Sequence, residues 1–131
     1  MTEIQAGSYA LMDTDYAAVG VPFEQAFWVL GTVVSTPATD RCVIDAGHKA
    51  TTKDHGMPAV AALEGATVTA LNDEHAVIDL SPASMRPRIG DRLRLVPSHT
   101  DPTINLHDDF YVIDGDRVVD VWPIARGYRR G

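Results

Sequence analysis

Short β-branched and aliphatic runs, each bounded by turn chemistry, constrain this chain more than any other feature. They are Trp28 to Ser35, Arg41 to Asp45, Thr67 to Leu71, His75 to Leu80, Arg92 to Val96, Phe110 to Ile113 and Arg117 to Trp122. Runs this short, rich in Val, Ile and Thr, suit strands and are too short for major helices. Arg92 to Val96 alternates, with Leu93 and Leu95 on one face and Arg92 and Arg94 on the other, as a half-buried antiparallel strand does. Asp114-Gly115-Asp116 between two apolar runs predicts a hairpin, because Gly tolerates the positive φ of such turns. The Pro37-bearing segment Thr36 to Asp40 and the segment Asn72-Asp73-Glu74 read as further turns. Helix signals are confined to Phe23–Phe27 and Pro58–Leu63, one turn each. Gly7-Ser8 ahead of Tyr9 to Met12 reads as a loop feeding a strand. The pattern predicts an all-β fold, a Greek-key barrel or sandwich.

A chain of 131 residues is expected to form one domain, residues 1–131, and is long enough to bury a core without staples. Apolar residues at 45% and charged residues at 22% exclude a disordered chain. A formal charge of -7 argues against binding nucleic acid through phosphates and against docking on an anionic membrane. The late arginines Arg126, Arg129 and Arg130 read as a solvated terminus. The single cysteine, Cys42, permits no internal disulfide and, inside Cys42-Val43-Ile44, reads as a small buried hydrophobe. With no signal-peptide pattern and no long apolar run, a cytoplasmic setting is the expectation.

The stretch Pro97-Ser98-His99-Thr100-Asp101-Pro102 carries the most chemical information. It follows the Leu93/Leu95 strand, and on an extended segment His99 and Asp101 would share one face. An imidazole and a carboxylate together suit Zn²⁺, Mn²⁺, Co²⁺ or Fe²⁺ better than Ca²⁺ or Mg²⁺. Spacing alone leaves a chance His-x-Asp pair open as the alternative. Two ligands do not close a structural site; with open positions the site would be a catalytic one. Asp45 to Lys49, Asp54-His55-Gly56 and Asp73-Glu74-His75 could supply acid–base groups, or could order strand-capping loops. Gly7-Ser8-Tyr9 could offer amides and a hydroxyl to a phosphate, or form a plain β-turn.

Read in order, these segments resemble a known family. EIQAGSYALMDTDY, VLGTVVS, VIDAGHKA, NDEHAVIDL and GDRLRLVPSHTDPTINLHDDFYVIDGDRVVDVWPIARG are similar to the C-terminal domain of the D-threonine aldolase / D-serine dehydratase-like family. The resemblance implies a β domain like that of alanine racemases, which follows a pyridoxal phosphate (PLP)-binding (β/α)8 barrel. It implies a divalent metal, Mn²⁺ or Zn²⁺, at His99 and Asp101, and PLP phosphate contacts at Gly7, Ser8 and Tyr9. Asp at the second metal position tilts the reading toward the aldolase branch, which cleaves β-hydroxy-D-amino acids to glycine and an aldehyde; the dehydratase branch tends toward Cys. Neither Lys49 nor Lys53 matches the family's PLP lysine. The chain is therefore expected to lack the PLP barrel and to be incomplete alone, partnering a barrel in cis or trans, or forming a homodimer, with an apolar face exposed where the barrel would sit. A D-serine dehydratase-type domain and a free-standing, non-catalytic interaction module are the alternatives. His48, His55, His75 and His107 receive no role.

Overall fold

The computed structural model describes residue 3 and residues 7–125; Arg126, Arg129 and Arg130 lie outside them. Eight strands form in chain order: β1 (Val29–Ala38), β2 (Arg41–Ile44), β3 (Ala59–Ala61), β4 (Thr67–Leu71), β5 (Ala76–Asp79), β6 (Arg92–Val96), β7 (Asp109–Asp114) and β8 (Arg117–Pro123). The first six close into an antiparallel barrel in the order β1-β2-β5-β4-β3-β6, and β7 pairs with β8 as a separate hairpin. β3, β4 and β5 form a meander, and β2 lies beside β5 rather than β3. That crossing is the Greek key the strand pattern predicts.

Period-two alternation builds the core. Val29, Val33, Cys42, Ile44, Val68, Leu71, Ala76, Ile78 and Leu95 point inward and are buried. Cys42 is fully enclosed, and burial raises its thiol pKa, as expected for a packing residue. Gly31 lets β1 approach the side chains of β2 closely. A methyl group there would meet the Ile44 Cδ1 at 2.8 Å and the Ala46 Cβ at 3.0 Å. Leu95 is buried while Arg92 and Arg94 are exposed, and the Arg94 guanidinium sits 5.2 Å over the Trp28 ring.

Several local expectations are corrected. Pro58–Leu63 forms no helical turn: Ala59–Ala61 is β3, filling the place between β4 and β6. Phe23–Phe27 is irregular, and helix appears instead at α1 (Thr14–Ala18) and α2 (Thr100–Ile104). Ser8–Ala10 is a 3₁₀ turn rather than the start of a strand. The Pro37 segment is not all turn, since β1 runs to Ala38 and reverses at Thr39–Asp40. A register irregularity between Ser35 and Ala38 accommodates the proline, which has no N–H to donate to the ladder.

β2 and β6 both run antiparallel to β1. Their C-terminal ends therefore lie together, at the barrel end where β1 begins. The long crossover 45–58 leaves β2 there, and α2 follows β6 there. The N-terminal segment leading into β1 reaches the same end.

Candidate metal centre

Three chain segments meet at that end, and Asp13 fastens two of them. Its side chain is 1% exposed. One oxygen caps α1, accepting from the Tyr16 N–H at 3.0 Å; the other accepts from the Thr100 N–H at 3.2 Å, at the first turn of α2. One carboxylate thus satisfies orphan donors of two helices. Met12, immediately before it, is buried with φ 61. Its carbonyl accepts from Thr100 Oγ1 and from Gln25 Nε2, and these bonds hold the left-handed conformation.

His99 is the extended residue that caps α2, with φ -146 and ψ 121. Asp101 lies in the first helical turn, so the two side chains do not share a face of a continuous extended segment. The change of backbone conformation at Thr100 brings them near each other by another route, with His99 Nε2 3.9 Å from Asp101 Oδ2. Pro102 is tolerated because first-turn amides have no intrahelical acceptor.

The crossover delivers the groups that meet the other side of the His99 ring. Asp54 Oδ2 lies 2.8 Å from His99 Nδ1, and Thr52 Oγ1 donates to Asp54 Oδ1 at 2.6 Å. His55 stacks on His99, with ring centroids 4.2 Å apart and planes 19° from parallel. Its Nδ1 lies 2.7 Å from Asp15 Oδ2, on α1. Asp54, His55 and His99 each offer a ligand atom, all within 4.8 Å of one another. The hydrogen bond from Thr52, then that from His99, pulls the Asp54 carboxyl down to about 2. The Asp54 hydrogen bond raises the His99 pKa, against a smaller lowering by burial.

Two buried hydroxyls flank this site, Thr51 Oγ1 and Ser98 Oγ, and neither has a hydrogen-bond partner among the described residues. Gly7 and Tyr9 are exposed and Ser8 half-buried. Tyr9 packs on Phe23 at 5.2 Å.

The other polar clusters form a brace. A Cβ on Gly47 would fall 2.3 Å from the His75 amide nitrogen and 2.4 Å from the Asn72 carbonyl oxygen, so only glycine fits. The His48 and Lys49 amides donate to Asn72 and Asp73 carbonyls, and Lys49 pairs with Glu74. His107 Nε2 contacts the Ala50 carbonyl oxygen at 2.8 Å, tying the chain after α2 to the crossover. The DAGHKA and NDEH segments thus shape the crossover through their backbones. No local motif marks Asp13, Asp15 or Thr52. In sequence, Asp54 and His55 read only as an acid–base or loop-ordering cluster; the fold brings both against His99.

The family described as "Putative serine dehydratase domain" matches residues 26–113. The chain belongs to this family. A D-threonine aldolase of Arthrobacter sp. is 51% identical over 134 residues, covering 98% of this chain and 35% of that protein. A 3-hydroxy-D-aspartate aldolase of Paracoccus denitrificans is 37% identical over 135 residues, covering 95% of this chain and 34% of that protein. The chain therefore spans about a third of the length of these curated relatives. A shorter family relative, an uncharacterised protein of Mycobacterium tuberculosis, is 33% identical over 113 residues, covering 79% of this chain and 85% of that protein. The crystal structure of D-threonine aldolase from Filomicrobium marinum superposes with a TM-score of 0.84 at 38% identity, over 91% of this chain and 34% of that one. A Cys→Ala variant of D-threo-3-hydroxyaspartate dehydratase in the metal-free form gives 0.83 at 25%, over 98% of this chain and 40% of that one. An alanine racemase-like protein of Idiomarina loihiensis gives 0.81 at 26%, over 94% and 38%. The closed barrel is thus the β domain of alanine-racemase-like enzymes. No helix among the described residues is long and apolar enough to cross a membrane.

Proposed function

We propose that this chain is the metal-holding β domain of a PLP- and divalent-metal-dependent lyase of the D-threonine aldolase type, acting on β-hydroxy-D-amino acids. The observation that carries the reading is the pairing of His99 Nε2 with Asp101 Oδ2 at 3.9 Å, in a chain 51% identical to a D-threonine aldolase. Two ligands of a tetrahedral ion at about 2.1 Å lie roughly 3.4 Å apart. A small rotation of Asp101, whose side chain is 81% exposed, closes the difference. An imidazole with a carboxylate fits Mn²⁺ or Zn²⁺. A relative crystallised in a metal-free form supports a family site that takes metal.

Within such an enzyme, PLP supplies the electron sink for cleavage of the Cα–Cβ bond, and the cation supplies a Lewis acid for the substrate's β-hydroxyl. His99 and Asp101 hold the cation, while the Asp13-centred hydrogen bonds keep α1 and α2 in place around it. Gly7, Ser8 and Tyr9, before α1 on the exposed N-terminal segment, are the residues assigned to the PLP phosphate. The PLP lysine belongs to a (β/α)8 barrel in cis or trans, which accords with relatives about three times as long. The exposed apolar side chains of β7 and β8 suit a contact with that barrel or with a second copy.

The test is a titration of Mn²⁺ and Zn²⁺ into the chain and its His99→Ala and Asp101→Ala variants by calorimetry. One saturable site, lost in both variants, is expected; equal heats in all three would remove the metal reading. The chain alone should show no PLP absorbance and no retro-aldol cleavage of D-threonine, and turnover by it would defeat the half-site assignment. A second reading, a free-standing module of this family, is favoured by the mycobacterial relative, of which this chain covers 85%. Adding a family PLP barrel in trans separates the two, because only the first reading expects aldolase activity to appear.

A further inference from the structure

Asp54 occupies a position that matters for how His99 can act. A neutral imidazole has one N–H and one lone pair, and the nitrogen that bears the proton is set by what the other ring atom meets. Nδ1 of His99 faces a carboxylate, which only accepts. A neutral imidazole in this position satisfies the 2.8 Å contact only with its proton on Nδ1, which leaves the lone pair on Nε2, 3.9 Å from Asp101 Oδ2.

The carboxylate is itself fixed. Thr52 Oγ1 donates to its other oxygen at 2.6 Å, and the Thr52 N–H donates to Thr103 Oγ1 at 3.4 Å. The Thr103 hydroxyl donates in turn to the His99 carbonyl oxygen at 2.9 Å. The bonds Asp54–His99, His99–Thr103, Thr103–Thr52 and Thr52–Asp54 close a ring. It joins the crossover to the cap of α2, and both Thr52 and Thr103 are buried. The stacked His55, anchored by Asp15, covers one face of the His99 imidazole. The ring plane is thus restrained from its edge and from one face, while Asp101 stays exposed and able to turn.

We propose that Asp54 is the positioning residue of the cation site, holding His99 in the Nδ1–H tautomer so that its Nε2 lone pair is directed toward Asp101. This rests on the metal reading above and adds a residue outside the His99–Asp101 pair. Carboxylate partners of metal-bound imidazoles typically change affinity by roughly 10- to 100-fold when removed. Asp54→Asn is isosteric but can present an amide N–H to Nδ1, which would move the imidazole proton to Nε2.

The experiment uses the full metal-free chain, with ¹⁵N-labelled histidine, at a pH where His99 is neutral. Wild type is expected to show the Nδ1–H pattern for His99, and Asp54→Asn a shift toward Nε2–H. Mn²⁺ affinity should fall roughly 10- to 100-fold in Asp54→Asn, with partial recovery in Asp54→Glu. An unchanged tautomer in Asp54→Asn overturns the inference. So does a shifted tautomer with an Mn²⁺ Kd within twofold of wild type. If wild type binds no Mn²⁺ or Zn²⁺, the metal reading fails by itself, and the tautomer measurement alone decides whether Asp54 orients His99.

Discussion

The six-stranded barrel and the β7–β8 hairpin are built from the same kinds of residue, yet they bury them differently. In the barrel every strand has two neighbours, and Cys42, Ile44, Ala76, Ile78 and Leu95 are fully enclosed. In the hairpin Tyr111, Val118, Val119 and Trp122 are each more than half exposed, and among the described residues no third strand pairs with it. Phe110 joins the two regions, meeting Phe27 edge-on at a ring distance of 5.7 Å. An isolated two-stranded sheet is only marginally stable in water. Closure makes the barrel self-sufficient, whereas the hairpin depends on what it leans against. The candidate metal centre sits on the self-sufficient part, which is what precise ligand geometry requires.

The largest expected effects fall in the barrel. Ile44→Ala should cost about 2–5 kcal/mol in urea denaturation, while Val119→Ala in the hairpin should stay within about 0.5 kcal/mol. Comparable losses at the two sites would break the contrast. Gly47→Ala comes next, because the new methyl meets the backbone of residues 72–75 rather than a movable side chain. It should destabilise by about 2 kcal/mol or more and perturb His99 resonances through the crossover; a neutral result would mean the brace can slide.

Phe110→Ala removes the contact at the junction. Hydrogen exchange should quicken throughout β7 and β8 and change little in β2, β5 and β6. Uniform quickening would show that hairpin and barrel open as one unit.

The smallest effect is electrostatic and belongs to the metal-free chain. Asp54 is held below its ordinary value, so its contribution is complete above pH 3.8 and fades as pH falls through about 2. His99 is raised, so its contribution is complete below pH 6.5 and fades as pH rises through the raised value. The difference in Tm between wild type and Asp54→Asn should therefore be widest between pH 3.8 and 6.5. Because both groups are partly exposed, it should correspond to no more than about 1 kcal/mol. A difference that keeps growing above pH 8 would contradict this pairing.

Strands were legible in the sequence wherever alternation or a β-branched run was long enough to carry a period. Thr67–Leu71 and Arg92–Val96 coincide with β4 and β6. β3 was not legible: Ala59-Val60-Ala61 is three residues of weak preference, and a proline before it suggests a helix start equally well. Its strand state comes from two barrel neighbours offering ladder hydrogen bonds. α2 was hidden for the opposite reason, since Pro97 and Pro102 mimic an extended segment. His99 and Asp101 could be picked out because they are close in sequence and match a family pattern. Asp54 lies 45 residues from His99 and Asp15 lies 40 from His55, so no local spacing could pair them.

Local sequence was enough for the period, and with it for which strand faces are apolar, where hairpins turn, and an all-β class that left barrel and sandwich both open. Those are properties of neighbouring residues, settled by sterics and by water's exclusion from apolar surface. Tertiary structure alone decided which polar groups meet. Barrel closure brings the ends of β2 and β6 together, and so the crossover carboxylate to the His99 imidazole. Contacts of that kind depend on strand order and register, which no local stretch of chain encodes.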